Sequence, residues 1–275
     1  MIENIRIGNR DFNLKNNTYI MGILNVTPDS FSDGGKFNSL DTALNHVEKM
    51  LEEGADIIDI GGESTRPNHI KISEDEEIAR VVPYIEAVAK RFDVPISIDS
   101  YKAKVVHAAI NSGANLINDI WGLRYDSELA GEISISGLPC VLMHNRNSCD
   151  EYNNFVEDVL DDLRGTLAIA DRAGISRDKI ILDPGVGFGK NLEQNLMITN
   201  NAERLMELDC PVLLATSRKS MIGNTLNLPV DERVEGTIAT SVMAVMKGLN
   251  FVRVHDIKEN KRAIDMTRAI LSSGR

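Results

Sequence analysis

Cysteine is scarce. Cys140, Cys149 and Cys210 are scattered and odd in number, which excludes a disulfide framework and leaves no CxxC pair for a metal or a redox couple. Such usage fits a reducing cytoplasm. Long apolar runs are missing as well. No stretch approaches the roughly 20 residues that a membrane-spanning helix needs, so no membrane association is expected. The opening residues, MIENIRIGNR, contain no apolar h-region, so no secretory signal is expected. Basic charge is in deficit: Asp and Glu number 41 against 30 Lys and Arg, a net charge of −11, and the pI is about 5.0. That balance argues against a nucleic-acid partner. An anionic substrate would have to be met by a few local cations. Aromatics make up only 5% of the chain, yet 43% of it is hydrophobic, enough for one large core in 275 residues. No Pro/Gly/Ser linker, low-complexity run or long repeat divides the chain, so a single domain over residues 1–275 is expected.

What the chain does have is a rhythm. Short runs rich in Ile, Val and Leu alternate with longer segments of helical period. The strand candidates are YIMGIL (19–24), DIIDI (56–60), PISID (95–99), NLIND (115–119), PCVLMH (139–144), KIILD (179–183), PVLLA (211–215) and FVRVH (251–255). Each is almost continuously apolar, as strands covered on both faces should be. Between them, SLDTALNHVEKMLEEGA offers Ser39 or Asp41 as an N-cap and Gly54 as a stop. SEDEEIARVVPYIEAVAKRF opens on Ser73 and acids and ends on Lys90 and Arg91, although Pro83 should kink or break it. Residues 126–136 are ambiguous, because ISISG suits a helix or an extended segment. Eight βα units predict a (β/α)₈ (TIM) barrel. A doubly wound sheet would favour G-x-G-x-x-G after the first strand, and NVTPDSFSDGG has none. The leading IRIGNRDFNL reads as a short β-hairpin that caps the barrel floor.

In such a barrel the chemistry collects at the C-terminal strand ends. Here those ends are polar: Asn25; Glu63 to Arg66; Asp99 and Ser100; Asn118 and Asp119; His144 and Asn145; Asp183; Ser217 to Lys219; Arg253, His255 and Asp256. Helix capping explains single Asp, Asn or Ser residues but fits the whole ring poorly. In FVRVHD, alternation turns Arg253 and His255 to one face and Val252 and Val254 to the other. A buried Arg needs an acid or an anion. A diphosphate ligand and a plain ion pair with Asp256 or Asp99 are both open. In TSRKSMIG, Ser217 and Lys219 face one way and Arg218 the other, as a carboxylate fork or as part of a solvated basic loop. Asp99, Asn118 and Asp183 together suit a flat heterocycle bearing an amino group beside a ring N–H. DPGVGFGK is not a Walker A loop, since Lys190 precedes Asn191. Its glycines admit a flat ligand, with Phe188 stacked on it.

The segments ILNVTPDSFSDGG, GADIIDIGGESTRP, ISIDSYKA, INDIWG, LMH, DPGVGFGK, SRKSMIG and RVHD resemble the dihydropteroate synthase family nearly end to end. The first and seventh are specific to that family. IDIGGEST, IND and DPG are shared with other pterin-binding barrels. The resemblance implies a transferase of folate biosynthesis and a sulfonamide target. Its reaction would join 6-hydroxymethyl-7,8-dihydropterin diphosphate to 4-aminobenzoate, releasing pyrophosphate. Carried over by motif, Asp99, Asn118, Met143, Asp183, Phe188 and Lys219 would hold the pterin. Asn25, Thr65, Arg66, Arg253 and His255 would serve the diphosphate, with Asn25 near Mg²⁺. Phe31, Arg66, Pro67, Ser217, Arg218, Lys219 and Ser220 would border the aminobenzoate. Asp99, Lys219, Arg253 and His255 would be catalytic. The 25–35 segment would cover the second substrate, with Gly61 and Gly62 as hinges of the neighbouring loop. A cytoplasmic homodimer is implied. Departures are few: Ala215 and Thr216 stand where the family has glycine, and Ser100 where threonine is common. A corrinoid-dependent pterin methyltransferase domain is the rival reading, but it has no use for NVTPDSFSDGG, SRKS or RVHD. A decayed, non-catalytic pterin binder would show a hole among Asn25, Asp99, Lys219, Arg253 and His255, and none is visible.

Overall fold

The computed structural model describes residues 2–27, 36–64, 71–150 and 152–274. Two antiparallel strands, β1 (Asn4–Ile7) and β2 (Arg10–Asn13), form the expected hairpin. The barrel strands follow as β3 (Tyr19–Asn25), β4 (Ile57–Gly61), β5 (Ile96–Asp99), β6 (Leu116–Asp119), β7 (Cys140–Met143), β8 (Ile180–Asp183), β9 (Leu213–Leu214) and β10 (Phe251–Val254). They form one parallel sheet in the order β8-β7-β6-β5-β4-β3-β10-β9. A parallel bridge from Leu182 to Val212 joins its two ends, so the sheet closes on itself. This is the TIM barrel that the alternation predicts.

Each strand has an outer and an inner face. Outward residues such as Ile58, Ile60, Val252 and Val254 pack into the shell beneath the helices. Inward, Met21, Ile57, Leu116, Val141, Ile181, Leu213 and Phe251 form a layer with Ile5, Ile7, Phe12 and Leu14. The hairpin therefore plugs the N-terminal end of the barrel.

The helices follow the sequence pattern with three adjustments. α1 (Lys36–Glu52) begins upstream of Ser39 and Asp41, so neither caps it. α2 (Glu74–Arg91) starts after Ser73, whose Oγ accepts the Glu76 N–H at 3.2 Å. It runs unbroken through Pro83. Pro83 and Ala79 are both exposed, so the carbonyl that the proline leaves without a donor can turn to water. α3 (Ala103–Asn111) precedes α4 (Leu129–Ser136), which resolves the ISISG ambiguity in favour of helix and stops at Gly137 with φ of 64°. α5 (Phe155–Ala173), α6 (Leu192–Asn200), α7 (Ser220–Leu226), α8 (Val234–Met246) and α9 (Ile257–Ser272) complete the shell. Among the described residues no helix is long and apolar enough to cross a membrane.

Candidate active site

Inward positions change character along the strands. Two residues beyond the apolar layer, Ile57 gives way to Asp59, Leu116 to Asn118, Ile181 to Asp183 and Phe251 to Arg253, and on β5 Asp99 follows the buried Ser97. The period of two puts these polar groups on the same face as the plug, but higher, at the C-terminal mouth.

Arg253 is the hub. Its Nε donates to Asp59 Oδ2 at 2.6 Å and its Nη2 to Asp99 Oδ2 at 2.6 Å. Asn118 Nδ2 also reaches Asp59 Oδ2, at 3.3 Å. The ion pair left open by the sequence is thus made with Asp99, while Asp256 pairs elsewhere. Asp59 Oδ1 and Asp99 Oδ1 are buried and have no partner among the described residues. Such atoms are costly unless a ligand meets them. Gly61 lies beside Asp99, where an added Cβ would stand 3.4 Å from the Asp99 Cβ. Burial pushes the Asp99 carboxyl up to about 7; Arg253 opposes the shift and Asp59 adds to it.

Asp183 closes the opposite side. Its Oδ1 accepts the Gly185 N–H at 2.7 Å, which leaves Oδ2 as the oxygen for another donor. Burial raises its pKa against the pull of Lys219 and the Gly185 N–H. Lys219 Nζ donates to the Val186 carbonyl and stands 4.8 Å from the Phe188 ring centroid. Burial brings the ammonium down to about 8; Asp183 holds it up and Arg253 presses it further down. Tyr101, Ile120 and Met143 form a small apolar cluster with Trp121 and Phe188. The mouth therefore joins a flat apolar wall to a set of fixed acceptors and donors.

At the rim, Ser217 Oγ lies 2.9 Å from His255 Nδ1 and accepts the His255 backbone N–H at 3.1 Å. Arg218 grips Asp256, with its Nε 2.9 Å from Oδ2 and its Nη2 on Oδ1. The fork expected for a substrate carboxylate is already filled, so the Arg218 side chain borders that region without being open to it. Its φ of 55° is unusual for a residue with a Cβ. Ser220 is exposed at the start of α7, and Asn25 is exposed at the end of β3. Phe31, Thr65, Arg66 and Pro67 lie outside the described residues. Gly62 has a packing role: a Cβ there would stand 2.7 Å from Val81 Cγ1, so glycine lets the end of β4 meet α2.

Sequence reasoning passed over two groups. Asp59 is wholly buried, and its signal lay in DIIDI, where alternation sets it with inward Ile57. Lys102, also buried, bonds Glu63 Oε2 and Glu77 Oε2, both at 2.7 Å. Tyr101 Oη reaches Glu63 Oε1 at 2.5 Å. Glu63 thus anchors the base of its loop. No sequence signal identified Lys102, because its partners lie 39 and 25 residues away.

Comparison with known proteins agrees with this geometry. A family model described as pterin binding enzyme matches residues 21–255. The dihydropteroate synthase of Clostridium beijerinckii is 58% identical, over 97% of this chain and 99% of its own. A structure of the Clostridium difficile dihydropteroate synthase in the presence of pteroic acid superposes with a TM-score of 0.90 at 47% identity, covering 97% of this chain and 98% of the other. That of Xanthomonas albilineans with 4-aminobenzoic acid gives 0.94 at 36% identity, with 99% of each chain covered.

Proposed function

This chain belongs to the pterin-binding enzyme family, and we propose that its barrel mouth performs the dihydropteroate synthase condensation. It is a transferase that joins 6-hydroxymethyl-7,8-dihydropterin diphosphate to 4-aminobenzoate, giving 7,8-dihydropteroate and pyrophosphate. The observation that carries this reading is the buried Asp59–Arg253–Asp99 arrangement. Two of its carboxylate oxygens, Asp59 Oδ1 and Asp99 Oδ1, are buried without a partner among the described residues, in a barrel whose strands also carry Asn118 and Asp183 at the same end.

The pterin ring takes the slot between Met143 and Phe188. Asp183 Oδ2 and Asp99 Oδ1 accept from its amino and ring N–H groups, Asn118 both donates and accepts, and Lys219 donates to its carbonyl. Held there, the substrate's methylene carbon faces Arg253 and His255, with Asn25 across the mouth and Thr65 and Arg66 assigned from the motif. As the C–O bond breaks, the pair of electrons leaves with the diphosphate; Arg253 and Arg66 offset the developing charge, while His255, Asn25 and Thr65 donate hydrogen bonds to it. The carbon left behind is cationic and delocalised into the ring, where the Asp99 carboxylate offsets it. The aminobenzoate amine is neutral at pH 7 and needs positioning above all. Phe31, Arg66 and Pro67 would complete its enclosure beside Ser217, Lys219 and Ser220. Nitrogen–carbon bond formation releases one proton. Local cations of this kind answer an anionic substrate despite the net charge of −11.

Magnesium fits as part of the substrate. Asn25 offers one neutral oxygen, and the described residues contain no group of three His, Cys, Asp or Glu able to hold a metal ion. Mg²⁺ prefers phosphate oxygens and retained waters, so it would enter with the diphosphate and shield its charge. We also read the protein as cytoplasmic, supported by its free Cys140, Cys149 and Cys210, and as a homodimer. Leu192, Leu196 and Met197 on α6, with Leu226 at the end of the neighbouring α7, are exposed apolar side chains that a second copy would cover. A monomeric mass in light scattering would remove the dimer.

The experiment that tests the activity supplies both substrates and follows pyrophosphate. Release that requires aminobenzoate supports the condensation. Pterin turnover that needs a methylated pterin and a corrinoid would give the site to the methyltransferase reading.

A further inference from the structure

The DPGVGFGK turn ends in a lysine that no substrate contact explains. Lys190 does not point at the mouth. Its Nζ turns back under its own loop, donating to the Gly185 carbonyl at 2.9 Å and the Phe188 carbonyl at 3.0 Å, and meeting His144 Nδ1 at 2.9 Å. All three ammonium hydrogens are therefore used. His144 is buried, and its Nε2 lies 3.0 Å from Asp162 Oδ2, which also takes Arg146 Nε at 2.6 Å. Since Nδ1 accepts from Lys190, the imidazole proton sits on Nε2 and goes to Asp162. A row from Asp162 through His144 to Lys190 thus runs beneath the loop.

The loop cannot stand off from that row. A Cβ at Gly185 would come 1.8 Å from the His144 carbonyl oxygen, and one at Gly189 would come 2.2 Å from the Arg146 carbonyl oxygen. Two glycines press the backbone against the end of β7, and Lys190 bonds the pressed segment from below. What the segment presents above is the pterin slot: the Gly185 N–H on Asp183 Oδ1, the Val186 carbonyl on Lys219, and the Phe188 ring. Burial brings the Lys190 ammonium down to about 7, with Asp183 opposing and Lys219 adding to the shift.

We propose that Lys190 is a positioning residue for the pterin: by holding the Gly185 and Phe188 carbonyls against His144, it sets Asp183, Lys219 and Phe188 at their working positions. The proposal rests on the pterin reading given above. Lys190→Met keeps the aliphatic stem and removes the three donors. Calorimetry would compare two probes, the unphosphorylated 6-hydroxymethylpterin and Mg²⁺-pyrophosphate, on the parent and the variant. We expect the pterin to bind at least about tenfold more weakly, with pyrophosphate within twofold. Pterin affinity within twofold of the parent, or an equal loss for both probes, overturns the proposal; the latter would mark general damage. A parent that binds no pterin defeats the functional reading instead, so the two failures are distinct. If Lys190→Met shows no cooperative melt, Asp162→Asn takes its place. It leaves Lys190 intact but weakens the hold on His144, and the same one-sided loss, at about threefold, is required.

Discussion

Asp59 holds Arg253 from below: the Arg253 Nε–Asp59 Oδ2 contact is 2.6 Å, and the carboxylate is entirely buried. Asp99 takes the other end of the guanidinium at 2.6 Å. The cation proposed to meet the diphosphate is thus fixed by two acids on adjacent strands. Such preorganisation avoids rearrangement during the reaction.

The first prediction follows from that clamp. Asp59→Asn keeps shape but sets an amide beside the Arg253 guanidinium and the Asn118 Nδ2. Arg253 retains Asp99, so the protein should fold, with a stability loss of about 1–3 kcal/mol. Turnover should fall by at least tenfold. Denaturant melts and initial rates test this together. A variant of parental rate would show that Asp59 serves the barrel core only.

Asp99 yields a pH prediction. Its folded pKa is raised from 3.8 to about 7. A raised carboxyl contributes stability that is present below the unfolded value and is lost as pH climbs through the folded one. Between these values the parent should lose stability relative to Asp99→Asn, which cannot titrate. Between pH 4 and pH 8 the variant should therefore gain at least about 2 °C in melting temperature on the parent, while its turnover drops by about a hundredfold or more. Melting curves of both proteins from pH 4 to 8 decide it. Parallel curves across that range would mean that Asp99 stays ionised throughout.

Much of this site was legible in the chain. Alternation in FVRVHD correctly turned Arg253 and His255 away from Val252 and Val254, because a parallel strand covered on both faces must sort its side chains by period. The same rule applied to DIIDI would have exposed Asp59; it went unread because a nearly continuous apolar run looks like plain core. Other features are beyond local pattern. The Arg218–Asp256 pair joins residues 38 apart on neighbouring loops, and only the closed barrel brings them together. Pro83 leaves α2 unbroken for a related reason: whether a proline breaks a helix depends on which face meets water, and that face is set by the packing of α2.

The pterin grip supplies a third prediction. Asp183 spends Oδ1 on the Gly185 N–H at 2.7 Å, so Oδ2 is the acceptor offered to the ligand. In Asp183→Asn, one of these two contacts becomes donor against donor, whichever way the amide turns. Pterin binding should weaken by roughly 2–4 kcal/mol. Calorimetry with the pterin alcohol checks this without the complication of the diphosphate. Unchanged affinity would remove Asp183 from the site.

The last prediction concerns how the two substrates communicate. Ser217, on the aminobenzoate side, is bonded to His255, on the diphosphate side, through Nδ1 at 2.9 Å and the backbone N–H at 3.1 Å. Arg218 is engaged by Asp256, so the described residues leave aminobenzoate only Lys219 and Ser220 as ready partners. Its other partners assigned by motif, Phe31, Arg66 and Pro67, belong to the polar segments 25–35 and 63–70, which carry too few apolar residues to dock unaided. The bare site should accordingly bind aminobenzoate weakly. Mg²⁺-pyrophosphate would engage His255, and the motif assigns Arg66 to both ligands, so filling the diphosphate position should favour the arrangement that aminobenzoate needs. The gain expected is at least about fivefold, or about 1 kcal/mol, and linkage requires pyrophosphate to gain equally from aminobenzoate. Titrations of each ligand with and without the other measure both sides of that equality. Ser217→Ala, which cuts the contact to His255, should shrink the coupling while leaving pyrophosphate affinity nearly unchanged. Identical aminobenzoate affinities in the two titrations would refute the coupling and leave the reaction itself standing.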